Sequence, residues 1–372
     1  MQECYIGLIS GTSADGIDAV IADFSQPTPR LIAKTTYPIP AEIQQEIYQL
    51  SQPANELGKH RIDRLGKLDH QLGLLFAEAT HAILQASQLA PDTIRAIGSH
   101  GQTIRHRPDN QHAFTLQIGD ANVIAFETNI LTVADFRRMD MAAGGQGAPL
   151  APAFHAEQFK HSEKDRVILN LGGIANITWL PSHSGDVIGF DTGPASALMD
   201  LWIQKHQQKP YDAEGAWAAT GQLNEDLLDT LLTDNYFKQA YPKSTGREYF
   251  DEHWLQQKLT SFALSPQDIQ RTLLELTAVS VADQIVLFTQ KDADVLVCGG
   301  GRLNQFLMKR LQQRLGASIN VMSTDTLGVD GDFVEAMTFA WLAKKRLNNE
   351  TGNVPSVTGA KRSVVLGSVF TS

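Results

Sequence analysis

Hydrophobic and polar positions follow two rhythms along this chain, one of strand length and one of helical spacing. Apolar runs of strand length fall at about 5–9, 17–24 and 30–37. The segment from roughly 59 to 88 carries Ile62, Leu65, Leu68, Leu72, Phe76, Ala79 and Ile83 at helical spacing, which predicts a helix with one buried stripe. Strands at 94–98, 113–118 and 130–134 and a short helix near 121–128 follow. From 166 the pattern restarts. VILNLGG, ITWL and VIGFD read as three short strands, then helices are predicted near 194–206 and 266–290. A strand at 294–301, a helix from about 303, a strand at 319–322 and a helix at 332–347 complete the second set.

The order is strands, helix, strand, helix, strand, helix, seen twice, so the fold class is α/β with a duplicated strand-helix pattern. Alternation of strands with helices implies mainly parallel sheets that present ligands at their carboxyl ends. A chain of 372 residues is also too long for one typical core and suggests two domains. The stretch 135–152, with Gly144, Gly145, Gly147 and two prolines, reads as the crossing point.

Composition narrows the function classes. A formal net charge of -10 argues against a nucleic-acid partner, because a phosphate backbone requires a basic face. Cys4 and Cys298 lie far apart in apolar runs, as buried thiols of a reducing compartment do. No basic leader precedes the first strand, and no apolar run approaches the ~20 residues that cross a bilayer. The expected location is the cytoplasm, with no membrane partner.

The candidate chemistry sits in loops after strands. In YIGLISGTSADGID, Gly11, Thr12 and Ser13 offer backbone N–H groups and small side chains that let a phosphate approach the main chain. Ala14, Asp15, Gly16, Ile17 and Asp18 complete the turn and enter the next strand. No GxxxxGK[ST] occurs in the chain, so no loop lysine meets the phosphate charge, and a metal ion would have to do so. An ordinary Asp-Gly hairpin fits the same residues. LNLGGIAN repeats the idea with Gly172, Gly173 and Asn176, and CGGGRLN sets Gly299, Gly300, Gly301 and Asn304 between a strand and a helix. GFDTGP places Asp191 at a strand end, as a helix cap or a general base, with Pro194 in the first turn of the next helix. SHGQTIRH follows a strand and carries His100, Gln102, Thr103 and His106, of which His106 reads as a satisfied core histidine. ADFRRMD offers Arg137 and Arg138 for a carboxylate or phosphate, or for surface ion pairs. Glu335 stands in a largely apolar helix and faces either solvent or a cleft.

Taken together, GLISGTSADGIDAV, AIGSHGQTIRH, ADFRR with AAGGQGAPL, LNLGGIAN, GFDTGP, GAWAATGQ, PKSTGRE and VLVCGGG, in this order, resemble the anhydro-N-acetylmuramic acid kinases along essentially the whole chain. The resemblance implies two actin-like (ribonuclease H-like) domains of the sugar kinase, actin and heat-shock chaperone superfamily, closing on an interdomain ATP cleft and usually forming a homodimer. Expected boundaries are 1–135 plus 348–372 for one domain and 136–347 for the other. The implied reaction opens the 1,6-anhydro ring with water and phosphorylates O6, giving N-acetylmuramate 6-phosphate in cell-wall recycling. The implied roles are Asp191 as catalytic base and the three glycine loops, from Gly11 through Asn304, as the ATP site. Mg²⁺ would be organised by Asp15 or Asp18, and His100, Gln102, Thr103, Arg138 and Glu335 would surround the sugar. One departure stands out: Ala195 and Ser196 follow GFDTGP where the family usually has Gly-Asn. A kinase for another amino sugar and a nucleotide-gated binding protein are the competing readings.

Overall fold

A computed structural model describes residues 3–11, 13–52, 60–289 and 292–372. Thr12 of the expected phosphate loop lies outside the described residues. In chain order the strands are β1 (Cys4–Ser10), β2 (Gly16–Asp23), β3 (Arg30–Pro38), β4 (Ile94–Arg107), β5 (Phe114–Ile118), β6 (Thr132–Ala134), β7 (Arg166–Leu171), β8 (Ile174–Leu180), β9 (Ile188–Pro194), β10 (Ala293–Cys298), β11 (Ile319–Ser323) and β12 (Ser368–Phe370). The chain divides into two compact units, Met1–Gln158 with Phe333–Ser372, and Phe159–Asp332.

The first unit holds a sheet in the order β12-β6-β4-β1-β2-β3, with β5 paired to β4. The second holds β11-β10-β7-β8-β9. The central strands make the duplication explicit. β1 runs antiparallel to β2 and parallel to β4, β2 runs antiparallel to β3, and β4 runs parallel to β6. β7 stands in the same relation to β8 and β10, and β8 and β10 to β9 and β11. Both faces of β1 are buried, as expected of a strand covered by helices on either side. The helix Arg61–Ser87 sets Leu72, Phe76 and Ile83 against Ile6, Leu8 and Ile97 in the first core. In the second, Leu274 and Val281 of the helix Pro266–Phe288 pack with Leu169, Val295 and Trp202. No helix of the described residues is long and apolar enough to cross a membrane.

Several expectations need revising. The strand expected at 94–98 continues to Arg107, so SHGQTIRH lies within β4, although the register slips between Leu8 and Ser10 and Gly101 takes φ 74°. Pro194 closes β9, and the following helix starts at Ser196, so neither Pro194 nor Asp191 belongs to the start of that helix. The stretch 135–152 folds into the helix Arg137–Ala142 and the beginning of the helix Ala151–Phe159. The division falls after Gln158 and before Phe333, where the sequence suggested 135/136 and 347/348. The reason is the helix Val334–Leu347, which packs on the first sheet. Gly7 and Gly98 are register partners, and a Cβ would lie 1.9 Å from the Ala336 carbonyl oxygen at Gly7 and 2.0 Å from that of Phe339 at Gly98.

In the second unit a buried ion cluster joins two helices. Glu275 is fully buried and accepts hydrogen bonds from Arg271, Arg310 (2.8 and 2.9 Å) and Arg314. Burial alone would raise its pKa, but the bonds from Arg310, Arg271 and Arg314 outweigh burial and hold it at about 2.

Two predictions follow from this packing. Gly98→Ala forces the helix off the sheet, and urea unfolding should show a loss of about 1–3 kcal/mol; a variant as stable as the parent would contradict the contact. Glu275→Gln removes the charge that three arginines surround, with an expected loss of about 3–5 kcal/mol. A carboxylate with a depressed folded pKa stabilises above its unfolded value near ~4.3 and loses that contribution as pH falls toward about 2. The parent's acid destabilisation over that window should therefore be blunted in the variant, as followed by fluorescence.

Candidate active site

In the first unit, the turn between β1 and β2 is held from below. Gln44 donates to the Ser13 carbonyl at 2.9 Å and Tyr48 to the same oxygen. Ala14 takes a positive φ of 45° with its N–H on Gly11 O at 3.1 Å, and its methyl is buried. Gly11 and Asp15 remain exposed, and Asp15 accepts from the Ser13 hydroxyl at 2.7 Å. Gly16 and Ile17 are buried in β2, and Asp18 accepts from Thr36 at 2.6 Å.

β4 brings three of the expected sugar residues alongside this turn, yet it commits their polar atoms to protein. The Ser10 hydroxyl donates to Gln102 at 2.6 Å, and Gln117 donates to Thr103 at 3.1 Å. Arg137 Nε donates to His100 Nε2 at 2.9 Å. That nitrogen is therefore the acceptor, and Nδ1 carries the proton it gives to Gly101 O at 3.0 Å. Burial, then the Arg137 charge, push His100 well below the ordinary histidine range, so it stays neutral. His106 bonds Thr115 at 3.0 Å, as a satisfied core histidine does.

The two arginines differ in surroundings. Arg137 also donates to Gly147 O at 2.8 Å; burial lowers its pKa to about 10 against the opposing charges of Glu335 and Asp140. Glu335, in the first turn of the helix Val334–Leu347, keeps an exposed surface; burial raises its pKa, Arg137 opposes this, and Asp18 adds to it. Arg138 is more open, 3.5 Å from Asp135, and lines a pocket of about 200 Å³ with Asp69, Ser99, His100, Gln117 and Asp135. Buried Asp140 ties this region to the C-terminal segment, accepting from Gly147 N, Asn353 and Thr358 at 2.6–2.8 Å.

In the second unit, the β7–β8 loop packs against the helix Ser196–Gln207. The carbonyls of Gly172 and Gly173 accept from Ser196, Ala195 and Ala197 at 2.9–3.1 Å. A Cβ on Gly173 would lie 2.4 Å from Nε of Arg247. Positions 195 and 196, where the expected amide is missing, are filled by a buried alanine and by a hydroxyl that hydrogen-bonds Asp200. Gly299 takes φ 78°, and a Cβ there would strike Asn170. Gly300 meets nothing within 4 Å, and Gly301 packs over Leu171. The Asn304 side chain caps the helix Gln305–Leu315, accepting from Leu307 N at 2.9 Å.

Asp191 lies in β9 opposite Asn176 of β8. Its carboxylate accepts the Thr245 N–H at 2.9 Å, its own N–H bonds Lys243 O at 3.1 Å, and Tyr236 donates to its carbonyl at 2.7 Å. Burial raises its pKa to about 6, and the Thr245 N–H opposes the shift. The Asp191 charge and, above all, burial push Tyr236 upward in turn. Sequence reasoning missed Lys243, Thr245 and Tyr236 as partners of Asp191. The only signal was PKSTGRE, which no strand precedes. Thr245 also borders a pocket of about 300 Å³ with Tyr236, Gln239 and Tyr249.

Among the described residues, no group of three or more His, Cys, Asp and Glu is arranged to hold a metal ion by itself. The donors of the β1–β2 turn, exposed Asp15 and half-buried Asp18, suit a cation that also takes phosphate and water oxygens.

The family model described as "Anhydro-N-acetylmuramic acid kinase" matches residues 3–372. The anhydro-N-acetylmuramic acid kinase of Pasteurella multocida is 51% identical over 368 residues, covering 98% of this chain and 96% of that protein. That of Shewanella amazonensis is 50% identical over 370 residues, covering 99% of each. Among solved structures, a ROK family glucokinase from Streptomyces griseus in complex with glucose and AMPPNP aligns with a TM-score of 0.41 at 12% identity, covering 92% of this chain and 99% of that one. This chain belongs to the anhydro-N-acetylmuramic acid kinase family.

Proposed function

We propose that this protein is an ATP-dependent kinase that hydrolytically opens 1,6-anhydro-N-acetylmuramic acid and phosphorylates its O6, giving N-acetylmuramate 6-phosphate for cell-wall recycling. The observation that carries the mechanism is Asp191, a half-buried carboxylate with a pKa of about 6 whose second-unit neighbours fix its position. A base of that pKa is ionised at neutral pH and still basic enough to take a proton in a transition state. In the reaction, water attacks the anomeric carbon and gives one proton to Asp191. The bond from that carbon to O6 breaks, and its electron pair stays on O6. O6 then attacks the γ-phosphorus of ATP in line, the bond to the β-phosphate oxygen breaks, and ADP leaves.

The remaining assignments divide between the units. Gly11, Ser13, Ala14, Asp15, Gly16, Ile17 and Asp18 of the first unit, with Gly172, Gly173 and Asn176 of the second, are assigned to the ATP phosphates. Gly299, Gly300 and Gly301, with Asn304 fixing the helix behind them, are assigned to the nucleoside. Mg²⁺, organised by Asp15, would neutralise charge on the phosphate oxygens when bound. Arg138 and Glu335 are assigned to the sugar. His100, Gln102 and Thr103, whose polar atoms are taken by protein partners, give that wall its shape, with Arg137 positioning His100. An ATP-dependent reaction suits the cytoplasm, and a homodimer, carried by the family likeness, predicts a mass of two chains in light scattering.

The deciding measurement is sugar 6-phosphate formation from the anhydro sugar and MgATP. Asp191→Asn should lower kcat by about 10²–10⁴-fold, and a variant of parental rate would remove Asp191 from the role of base. In the parent, kcat/KM should fall below about pH 6 as Asp191 protonates and level off above it. An acid limb near ~4, the ordinary aspartate value, would mean that the burial shift is not used. Turnover of free amino sugars with none of the anhydro sugar would favour a kinase for another amino sugar. ATP hydrolysis indifferent to any sugar would favour a nucleotide-gated binding protein.

A further inference from the structure

We infer that Arg247 grips the γ-phosphoryl group of ATP during transfer. This deepens the kinase reading and rests on it. The argument is confined to the second unit. The Arg247 guanidinium lies directly on the α-carbon of Gly173, where a Cβ would stand 2.4 Å from its Nε, 2.7 Å from Nη2 and 2.9 Å from Cζ. Gly173 belongs to the loop assigned to phosphate, so a glycine there does two things: it bares the backbone and makes room for a cation. Arg247 is also two residues from Thr245, whose N–H holds the Asp191 carboxylate at 2.9 Å. The same short loop therefore carries the cation and fixes the base.

The charge is not spent elsewhere. Arg247 is exposed, and among the described residues its guanidinium makes no side-chain hydrogen bond or ion pair. Its resolved electrostatic partner is Asp200, whose carboxyl burial raises and the Ser196 hydroxyl and Arg247 lower. A planar fork of donors over a glycine loop is the geometry that takes two non-bridging oxygens at once. As the bond from γ-phosphorus to the β-phosphate oxygen breaks and the bond to O6 forms, negative charge spreads over those oxygens, and a guanidinium there stabilises the transition state.

The test uses Arg247→Gln and Arg247→Lys in the full chain with Mg²⁺ present, after equal thermal unfolding midpoints have established that both fold. In Arg247→Gln, kcat should fall by at least ~10²-fold while the sugar KM changes by less than ~2-fold, with Arg247→Lys recovering part of the rate. By calorimetry, a non-hydrolysable ATP analogue should bind the glutamine variant roughly tenfold more weakly while ADP binds equally well, since ADP lacks the group Arg247 holds. Equal loss of both nucleotides would overturn the inference, as would a rate within threefold of the parent. A raised sugar KM with unchanged nucleotide binding would assign the guanidinium to the sugar's carboxylate and overturn it too. The nucleotide comparison needs no turnover, so it remains decisive even if the parent proves to phosphorylate a different sugar.

Discussion

The first unit depends on one close approach, the backbone of the helix Val334–Leu347 lying on Gly7 and Gly98. No side chain fits between that helix and the sheet at Gly7 and Gly98, and the helix joins the first unit only after the chain has passed through the whole second unit. The return has a chemical result. Glu335 stands one residue before Ala336, whose carbonyl meets Gly7, so the packing contact also sets the carboxylate within the fields of Arg137 and Asp18. Arg137 is fixed in turn by His100 and the Gly147 carbonyl, and Gly147 by Asp140. A run of contacts thus connects backbone packing to the charge of a candidate sugar-binding wall.

In the second unit the corresponding balance concerns one carboxylate. Removing Asp191 from water works against its ionisation, and the Thr245 N–H restores part of what burial withdraws. A carboxylate bound to two or three such donors would be a strong acid and a poor base. One donor leaves it near 6, between a spectator carboxylate and a permanently protonated acid. That degree of support comes from a loop 54 residues along the chain and cannot be deduced from GFDTGP.

Much of the fold was legible because apolar runs and strand period coincide. The helix 121–128 and the restart at 166 were read from pattern alone, and the repeated strand order bears out the duplication. What failed did so where polar residues are buried against one another. Sequence pattern ends β4 at Gly98, because Ser99, His100 and Gln102 look like loop residues. They continue the strand because Ser10, Arg137 and Gly101 satisfy Gln102 and His100 inside the fold. The choice between Arg137 and Arg138 was closed to sequence for a related reason. Adjacent residues of one type differ only in the direction the helix gives them, and here one is built into a histidine contact while the other stays open. The helix 334–347 follows the second unit in sequence but packs on the first, so the division falls before Phe333 where sequence order suggests 347/348.

Two arginines of the second unit use the same packing device with opposite electrostatic outcomes. Arg302 lies on Gly331, where a Cβ would be 2.5 Å from its Nε, and Arg247 lies on Gly173. Arg302 is almost fully buried and donates to both oxygens of Asp332, to Asp325 at 3.0 Å and to Gly299 O; Asp332 first, then Asp325, hold its pKa above the ordinary arginine value against burial. Its charge is neutralised where it stands, and its work is to clamp Gly299 and the glycine run behind it. Among the described residues, Arg247 has no such acid bonded to it, and it remains at the surface. Since a cation that only braced a loop would gain from being paired, as Arg302 is, the unpaired one is the candidate for an anion brought by the substrate. The contrast supports the proposed division, with the loop at 299–301 for a neutral ring and the loop at 172–173 for a charged group, which the glycines alone could not make.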